Sequence, residues 1–313
     1  MSEVTLQINL SAGDSAYAEL TVPRLLAAHP DVAERLLVVD LCKPQATGIV
    51  DPIKRYPEPA YTQRAERVSN LAKGWLESGM VDRVVWLRPG DPLFAQLSRT
   101  YLRPWVKETH DYGGCALMSY LAAFELCRTR WLLHYDADLM LYQAPGFDWS
   151  APACQAMAKS ESVIAAVPRP SAGGFGPADL PSRSEHLALR THPDGWLNQW
   201  FSTRCYLFDC TRLRPLLPLL QGRIYWEVLA ARIFRRGYPR SPEIMLFRRL
   251  SAAGQWRLML SDPRAWLLHP IQKDAVYIAA LPRLLKAVAS GLCPDGQRGH
   301  QDLRLEEWKN LLA

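Results

Sequence analysis

The pattern of apolar and polar residues along the first half of the chain predicts strands that alternate with helices. Residues 4–9 alternate apolar and polar side chains as a strand does, and short apolar runs that favour strands lie at residues 35–40, 82–87 and 131–135. Apolar residues recur at helical spacing in residues 17–28, 62–78, 93–106 and 116–127. Because strands and helices alternate in this order, we expect an α/β fold with a doubly wound, mostly parallel sheet flanked by helices.

The second half of the chain is less regular in its pattern. Apolar runs predict strands at residues 163–167, 204–208, 256–260 and 266–268, and helical spacing predicts helices at 213–220 and 226–235. Residues 171–194 are rich in glycine, proline, serine and charged side chains, which is typical of a loop. We therefore expect a loop-rich second half.

Composition and charge restrict the class of protein. A chain of 313 residues that is 49% hydrophobic is long enough to bury a large core. The formal net charge is +6, and the basic residues are scattered along the chain without forming a basic stripe. A nucleic-acid-binding protein would be expected to show such a stripe, so we predict no nucleic-acid partner.

The cysteines and the apolar segments bear on location. The seven cysteines include no Cys-X-X-Cys pair, which argues against both a disulfide framework and a structural zinc site. Residues 1–10 lack the features of a signal peptide, and no apolar run approaches the ~20 residues of a transmembrane helix. We expect a cytoplasmic protein without a transmembrane segment, for which peripheral membrane contact stays open.

Two carboxylates follow the fourth predicted strand. Asp136 and Asp138 are separated by one residue, so both can face a cleft at the end of this strand and offer hard oxygen ligands to Mg²⁺ or Mn²⁺. A solvated turn is the alternative, since acid pairs are common in loops. His134, within the strand, is interpreted as a packed core histidine.

The segment that ends in these acids resembles the core of GT-A glycosyltransferases, with similarity to family 2. Tyr112-Gly113-Gly114 precedes a predicted helix, an apolar strand follows, and Asp136-Ala137-Asp138 provides the Asp-X-Asp motif. The resemblance implies one GT-A domain over residues 1–313, with a nucleotide-sugar donor half at 1–140 and an acceptor half with a C-terminal segment at 141–313. It also implies that Asp138 binds the metal and that Asp136 approaches the donor ribose or sugar.

Further donor-binding residues follow from the same resemblance. Asn9 ends the first strand, Asp40 ends the second, and Gly113 and Gly114 form the small-residue loop. Asp40 would contact the nucleotide base, although the acidic, Gly/Ser-rich continuation usual in the family is missing after it. A cap at the end of a strand is the alternative role for Asp40.

A helix late in the chain resembles the acceptor-side helix of inverting GT-A enzymes. Glu227 stands near its start and is the candidate catalytic base, because a carboxylate within reach of an acceptor hydroxyl can remove its proton. The family more often has a Glu-Asp pair, whereas Val228 follows here. A plain negative charge at a helix N-terminus is the alternative.

Three further features complete the candidate site. His269 follows a short apolar run where many GT-A enzymes supply another metal ligand, and Lys273 is expected to neutralise the donor diphosphate. For His269 a structural role, and for Lys273 a solvated surface position, stay open. Trp196, Trp200 and Phe201 are weaker candidates for stacking on an acceptor sugar.

Together the resemblance and the residues predict a hexosyltransferase-like enzyme. It would use Mn²⁺ or Mg²⁺ to move a sugar from a nucleotide-diphosphate donor, expected to be a UDP-sugar, to the hydroxyl of a glycan or small-molecule acceptor, with inversion. A phosphohydrolase of the haloacid dehalogenase type is one alternative, because an Asp-X-Asp motif also follows an apolar strand there. A catalytically inactive nucleotide-sugar-binding protein is the other.

Overall fold

The computed structural model describes residues 3–173 and 189–312, and it contains eleven strands in two sheets. The strands are β1 (Val4–Ser11), β2 (Glu34–Asp40), β3 (Arg83–Leu87), β4 (Trp131–Asp136), β5 (Met140–Gln143), β6 (Val163–Val167), β7 (Arg190–His192), β8 (Gly195–Asn198), β9 (Cys205–Asp209), β10 (Trp256–Leu260) and β11 (Ala265–Leu268). β5 and β11 form a small antiparallel sheet, and the other nine form the large one.

Helices flank the large sheet. They are α1 (Ala18–Ala27), α2 (Pro52–Arg55), α3 (Ala60–Glu77), α4 (Pro92–Tyr101), α5 (Met118–Leu126), α6 (Ser150–Lys159), α7 (Cys210–Leu213), α8 (Arg223–Ile233), α9 (Pro242–Ala252), α10 (Ala275–Ala289) and α11 (Lys309–Leu312). Among the described residues, no helix is both long enough and apolar enough to cross a bilayer.

The large sheet has the strand order β3-β2-β1-β4-β9-β6-β10-β8-β7. Following the pairing from strand to strand, seven of its nine described strands run in one direction, and only β9 and β8 are reversed. The sheet is therefore mostly parallel, and the α/β class predicted from the sequence is confirmed.

Both faces of the large sheet are covered, which explains the continuous apolar runs of its strands. In β2, Leu37 and Val39 face a core built with α1, α3, α6 and α10, whereas Leu36 and Val38 face a second core built with α4, α5 and α9. Alternate residues of β2 therefore contribute to opposite cores, and the polar side chains of this strand lie at its ends.

Several elements differ from the sequence-based prediction. The helix expected at residues 213–220 is wrong: α7 ends at Leu213, and a short 3-10 helix, Arg214–Leu216, follows it. Pro215 and Pro218 explain the difference, because proline has no backbone N–H and restrains the residue before it. The predicted helix at 93–106 ends at Tyr101, three residues before Pro104.

Other elements were not predicted from the sequence. They are β5, α6, α9, α10 and the hairpin of β7 and β8, which occupies part of the expected loop at 171–194. Residues 174–188 of that expected loop lie outside the described residues.

The small sheet brings distant residues together. β5 begins two residues after Asp138, and β11 ends one residue before His269. The two strands pair in antiparallel register with Leu268 opposite Met140, so the start of β5 lies beside the end of β11. This pairing places Asp138 and His269 at the same corner of the molecule.

Candidate functional site

Polar residues meet where β1, β2 and β4 end side by side. The strands are parallel, and their register places Asn9 opposite Asp136 and Ser11 opposite Asp40. Since the carboxyl ends of parallel strands form one edge of a sheet, these side chains share that edge. The structure thus brings together the predicted donor residues Asn9, Asp40 and Asp136.

Two groups contact one oxygen of the Asp136 side chain. Tyr120 of α5 donates a hydrogen bond from its hydroxyl to Oδ1 of Asp136 at 2.7 Å. His134 Nε2 lies 3.3 Å from the same oxygen. Burial and the neighbouring Asp136 charge raise the pKa of Tyr120, which keeps it a donor.

A series of contacts between imidazole and amide groups connects Asp136 to the neighbouring strand β1. His134 Nδ1 contacts Gln7 Oε1 at 2.5 Å, and Gln7 Nε2 donates to Asn9 Oδ1 at 2.9 Å. The ring of His134 is fully buried and stacks on Tyr206. The interpretation of His134 as a packed histidine therefore describes its burial, but its nitrogens also link Asn9 to Asp136.

Asp138 lies deeper than Asp136, at 7% exposure, and is surrounded by basic groups. Lys273 donates a hydrogen bond to its Oδ2, and His269 Nε2 lies 3.7 Å from the same oxygen. Oδ1 of Asp138 is buried without a hydrogen-bond partner. An unpartnered buried carboxylate oxygen is costly unless a ligand contacts it, so Asp138 has the features of a ligand site.

His269 is oriented by a residue of the C-terminal segment. Asp302 Oδ1 accepts a hydrogen bond from His269 Nδ1 at 3.1 Å, and that hydrogen bond, with Arg204, holds the pKa of Asp302 below its usual range. The backbone of His269 also bonds to Gln301 and Leu303. With Nδ1 bound to a carboxylate, Nε2 is left facing Asp138, as in histidines that ligate metals.

Asp14 and Tyr17 belong to the same cluster but were missed in the sequence. Burial, and then the charge of Asp138, raises the pKa of Asp14 to about 6, and Tyr17 donates a hydrogen bond to its carboxylate. The Lys273 ammonium lies 5.3 Å from the Tyr17 ring centroid. The Ser11-X-X-Asp14 spacing, which forms a capping box after β1, was the sequence signal available.

Asp40 is a buried carboxyl at the end of β2. Its Oδ1 accepts a hydrogen bond from the Cys42 backbone N–H at 2.9 Å, and burial raises its pKa to about 6. The capping alternative is therefore present in the structure. This capping role does not exclude contact with a ligand, because the Cys42 N–H donates only to Oδ1 of Asp40.

Gly113 and Gly114 form a tight turn around Asp111. Oδ1 of Asp111 accepts hydrogen bonds from the backbone of Gly113 at 2.8 Å and of Cys115 at 2.9 Å, and Gly114 has φ +82°. Burial raises the pKa of the Cys115 thiol, with a further contribution from the charge of Asp136. The loop therefore lies near Asp136.

The surroundings of Glu227 are basic. Arg223 donates to Oε1 at 2.8 Å, and Arg248 donates to Oε2. Partial burial of Glu227 opposes ionisation, but the two arginines outweigh it and lower the pKa of the carboxyl. Because both oxygens accept from cations, Glu227 is held as a stable anion, and its role as base stays a prediction.

Glu243 is a second carboxylate and was not identified from the sequence. It is the second residue of α9, which begins at Pro242 directly after the N-cap Ser241. Burial raises its pKa, and the charge of Asp136 adds to this, although Arg204 and Arg257 oppose it. The Ser-Pro-Glu start of a helix was the sequence signal available.

The aromatic acceptor candidates have different environments. Phe201 is 1% exposed and packs against Tyr206 and Phe208, so it belongs to the core. Trp200 is partly exposed and contacts Phe247 at a centroid distance of 4.9 Å. Of the three candidates, Phe201 is not available to stack on a sugar, whereas Trp196 and Trp200 stay predictions.

Comparison with known proteins finds similarity only among solved structures. No family model matches the chain, and no curated protein matches it. The galactosyltransferase LgtC, in complex with donor and acceptor sugar analogues, is similar with a TM-score of 0.37 and 12% identity, over 98% of this chain and 99% of that one. An active-site mutant of LgtC gives a TM-score of 0.34 and 12% identity, over 82% of this chain and 72% of that one.

A mycobacterial protein is similar with a TM-score of 0.34 and 14% identity, over 94% of this chain and 76% of that one. With TM-scores and identities this low, no residue role and no activity is carried from these proteins to the present chain. The functional argument therefore rests on the site itself.

Proposed function

We propose that the protein is a GT-A-type glycosyltransferase that transfers a sugar from a nucleotide-diphosphate donor, UDP-linked in our expectation, to an acceptor hydroxyl. The observation that carries this proposal is the environment of Asp138. One of its oxygens is buried without a partner, and His269 and Lys273 face the other. This set lies beside the carboxyl edge of a mostly parallel sheet, where ligands of such folds bind.

The residues around Asp138 fit a divalent cation whose coordination shell the substrate would complete. Asp138 and His269 would hold it, and Mn²⁺ or Mg²⁺ bound there would offset negative charge on the leaving diphosphate. Within the described part of the chain, no three His, Cys, Asp or Glu side chains form a metal site by themselves. In this proposal the phosphate oxygens of the donor would supply further ligands, as is usual for Mg²⁺.

The other residues have distinct roles in this proposal. Lys273 carries the charge that faces the diphosphate, and Asp136, fixed by Tyr120 and His134, orients the donor ribose or sugar. Asp40, Asn9 and the Gly113-Gly114 turn line the nucleotide side. An inverting reaction requires a base opposite the leaving group, for which Glu227 is the candidate from the sequence and Glu243 the candidate from the structure.

The haloacid dehalogenase alternative is not favoured by the site. Such a phosphohydrolase requires the first acid of the motif as a free nucleophile. Oδ1 of Asp136 instead lies within hydrogen-bonding distance of both Tyr120 and His134. Because these two contacts restrain the Asp136 side chain, it is suited to orienting a ligand.

The decisive experiment is thermal stabilisation of the purified chain by UDP, GDP and dTDP, each with and without Mn²⁺. We expect one nucleotide to stabilise the chain only with metal, and Asp138→Asn to abolish the shift. Asp295→Asn, at a carboxylate that is 98% exposed, is the matched control and should keep it. Absence of a metal-dependent shift with every nucleotide would remove the donor site. A shift without sugar transfer would favour the inactive binding protein.

A further inference from the structure

Helix α8 presents large apolar side chains to solvent. Trp226 is 67% exposed, Ile233 is 67% exposed and Phe234, which caps the helix, is 72% exposed. Clusters of bulky apolar residues on a protein surface usually mark an interaction site. The exposure of these three side chains therefore indicates that α8 takes part in an interaction.

The exposed residues share one side of the helix. Trp226, Ala230, Ile233 and Phe234 follow the spacing i, i+4, i+7 and i+8, which aligns them along one face. Ile224 and Val228 are buried in the core beneath them. The helix is thus apolar on its inner and its outer face, and we call Trp226, Ala230, Ile233 and Phe234 the outer face of α8.

Positive charge surrounds the outer face. Arg223, Arg235 and Arg236 are exposed at the two ends of α8. Between residues 221 and 250 the only acids are Glu227 and Glu243. Arg223 and Arg248 neutralise the first, and the second is partly buried. The solvent side of this region is therefore cationic.

The helix is held firmly in this position. Arg232 donates to the Trp105 backbone oxygen at 2.8 Å and lies over the Trp105 and Tyr238 rings. Trp105 also packs edge-on against Tyr225 at a centroid distance of 6.3 Å. The outer face is therefore presented by a packed element.

We propose that the outer face of α8 binds an anionic membrane surface. Bulky apolar side chains enter the boundary between headgroups and acyl chains, and arginines pair with lipid phosphates, as in interfacial helices. Trp226 is well suited to this position because its ring is amphipathic. A second copy of the chain fits less well, because a symmetric pair would bring two cationic surfaces together.

The position of α8 relates this surface to the cleft. The chain after α8 contacts the glycine loop, since Pro239 O accepts a hydrogen bond from the Tyr112 N–H at 2.8 Å. If the proposed function holds, on which this step alone rests, an acceptor held in the membrane would lie beside the cleft. Membrane binding itself requires no activity and is tested separately.

The test is co-sedimentation of the full chain with vesicles of phosphatidylcholine alone and of an equal mixture with phosphatidylglycerol. We expect binding to the anionic vesicles that weakens with salt. An Ile233→Ser, Phe234→Ser variant and an Arg235→Gln, Arg236→Gln variant should each lower the partition coefficient about tenfold. Ile53→Ser, at an 83% exposed site on α2, and Arg99→Gln on α4 are the matched controls and should bind as the parent chain does.

Thermal melting of each variant separates loss of binding from loss of folding. The proposal is overturned if the parent chain does not sediment with anionic vesicles, or if the controls lose binding as much as the outer-face variants. It is also overturned if the parent chain self-associates without binding vesicles and the outer-face variants abolish that association. Because nucleotide binding is measured separately, failure here leaves the proposed function intact.

Discussion

Glu227 and Glu243 differ in what surrounds their carboxylates, and this difference decides which is suited to accept a proton. Both oxygens of Glu227 accept from arginines, which lowers its pKa. Glu243 is partly buried near Asp136, and its pKa is raised. A base works best when its pKa lies near the operating pH, so the raised pKa favours Glu243.

We therefore expect Glu243→Gln to reduce sugar transfer by at least about 100-fold, which is the lower range for loss of a general base. Nucleotide binding should persist, because Glu243 is not placed at the donor. Glu227→Gln is the paired variant, and transfer assays with thermal shifts would rank the two. A large loss with Glu227→Gln and none with Glu243→Gln would return the role to Glu227.

Asp40 allows a prediction of pH dependence. Burial raises its pKa from 3.8 to about 6 in the folded chain, so ionisation at higher pH opposes folding. Its contribution to stability is complete below pH ~4 and is lost as the pH rises through about 6. The loss amounts to about 3 kcal/mol in the free energy of unfolding.

Asp40→Asn should therefore be more stable than the parent chain at pH 7.5 and equally stable at pH ~4, as measured by urea unfolding. The amide oxygen can still accept from Cys42. If Asp40 also contacts the nucleotide base, the same variant should lose nucleotide-dependent stabilisation. A stability gain independent of pH would contradict the buried carboxylate as its cause.

At the scale of elements, the Gly113-Gly114 turn shows why glycine is required at a particular position of the sequence. Gly114 has φ +82°, and a Cβ there would lie 3.2 Å from Val50 and 3.3 Å from Arg55. Gly113 has no left-handed φ, and its Cβ would lie 3.3 Å from the Asp111 carboxylate. The two glycines are therefore under different constraints.

Gly114→Ala should lower the free energy of unfolding by about 1–3 kcal/mol, the usual cost of a residue in an unfavourable backbone conformation. Gly113→Ala is the matched variant and should cost less than about 1 kcal/mol. Urea unfolding measures both. Equal costs would mean that local contacts, and not the backbone conformation, set the requirement for glycine.

The strands of the first half could be predicted because β2 and β4 are mostly apolar runs buried on both faces, and because apolar and polar residues alternate along β1. Helix α9 was not predicted, although Ser241-Pro242 is a signal for the start of a helix. Strand β11 was predicted from its apolar run at residues 266–268, whereas the short strand β5 was not predicted. Their pairing is decided by tertiary packing.

At the scale of the whole molecule, the chain after α10 reaches the corner where Asp138 and His269 lie. Asp302 orients His269, and the segment is anchored by Trp308, which is fully buried and donates to Gln297 Oε1 at 3.0 Å. The site therefore depends on chain far from the Asp-X-Asp motif.

Asp302→Asn should weaken metal binding, so that nucleotide stabilisation needs a metal concentration about 10–100-fold higher. Loss of a carboxylate behind a metal-bound histidine has an effect of this size. The stability of the variant without ligand should change little, because Asp302 is nearly half exposed. Asp295→Asn in the same segment serves as the control. An unchanged metal titration would exclude His269 as a ligand, or Asp302 as the residue that orients it.

Local patterns in the sequence were sufficient to predict the α/β class, the strands that end near Asn9, Asp40 and Asp136, and the small-residue turn before α5. These follow from local patterns, since burial on both faces and left-handed turns leave signals within a few residues. Which of these side chains contact one another depends on the tertiary structure. Lys273 contacts Asp138 across 135 positions of sequence, and Glu243 and Asp302 enter the site through separate elements. Such contacts depend on how helices and strands pack, and no local spacing encodes them.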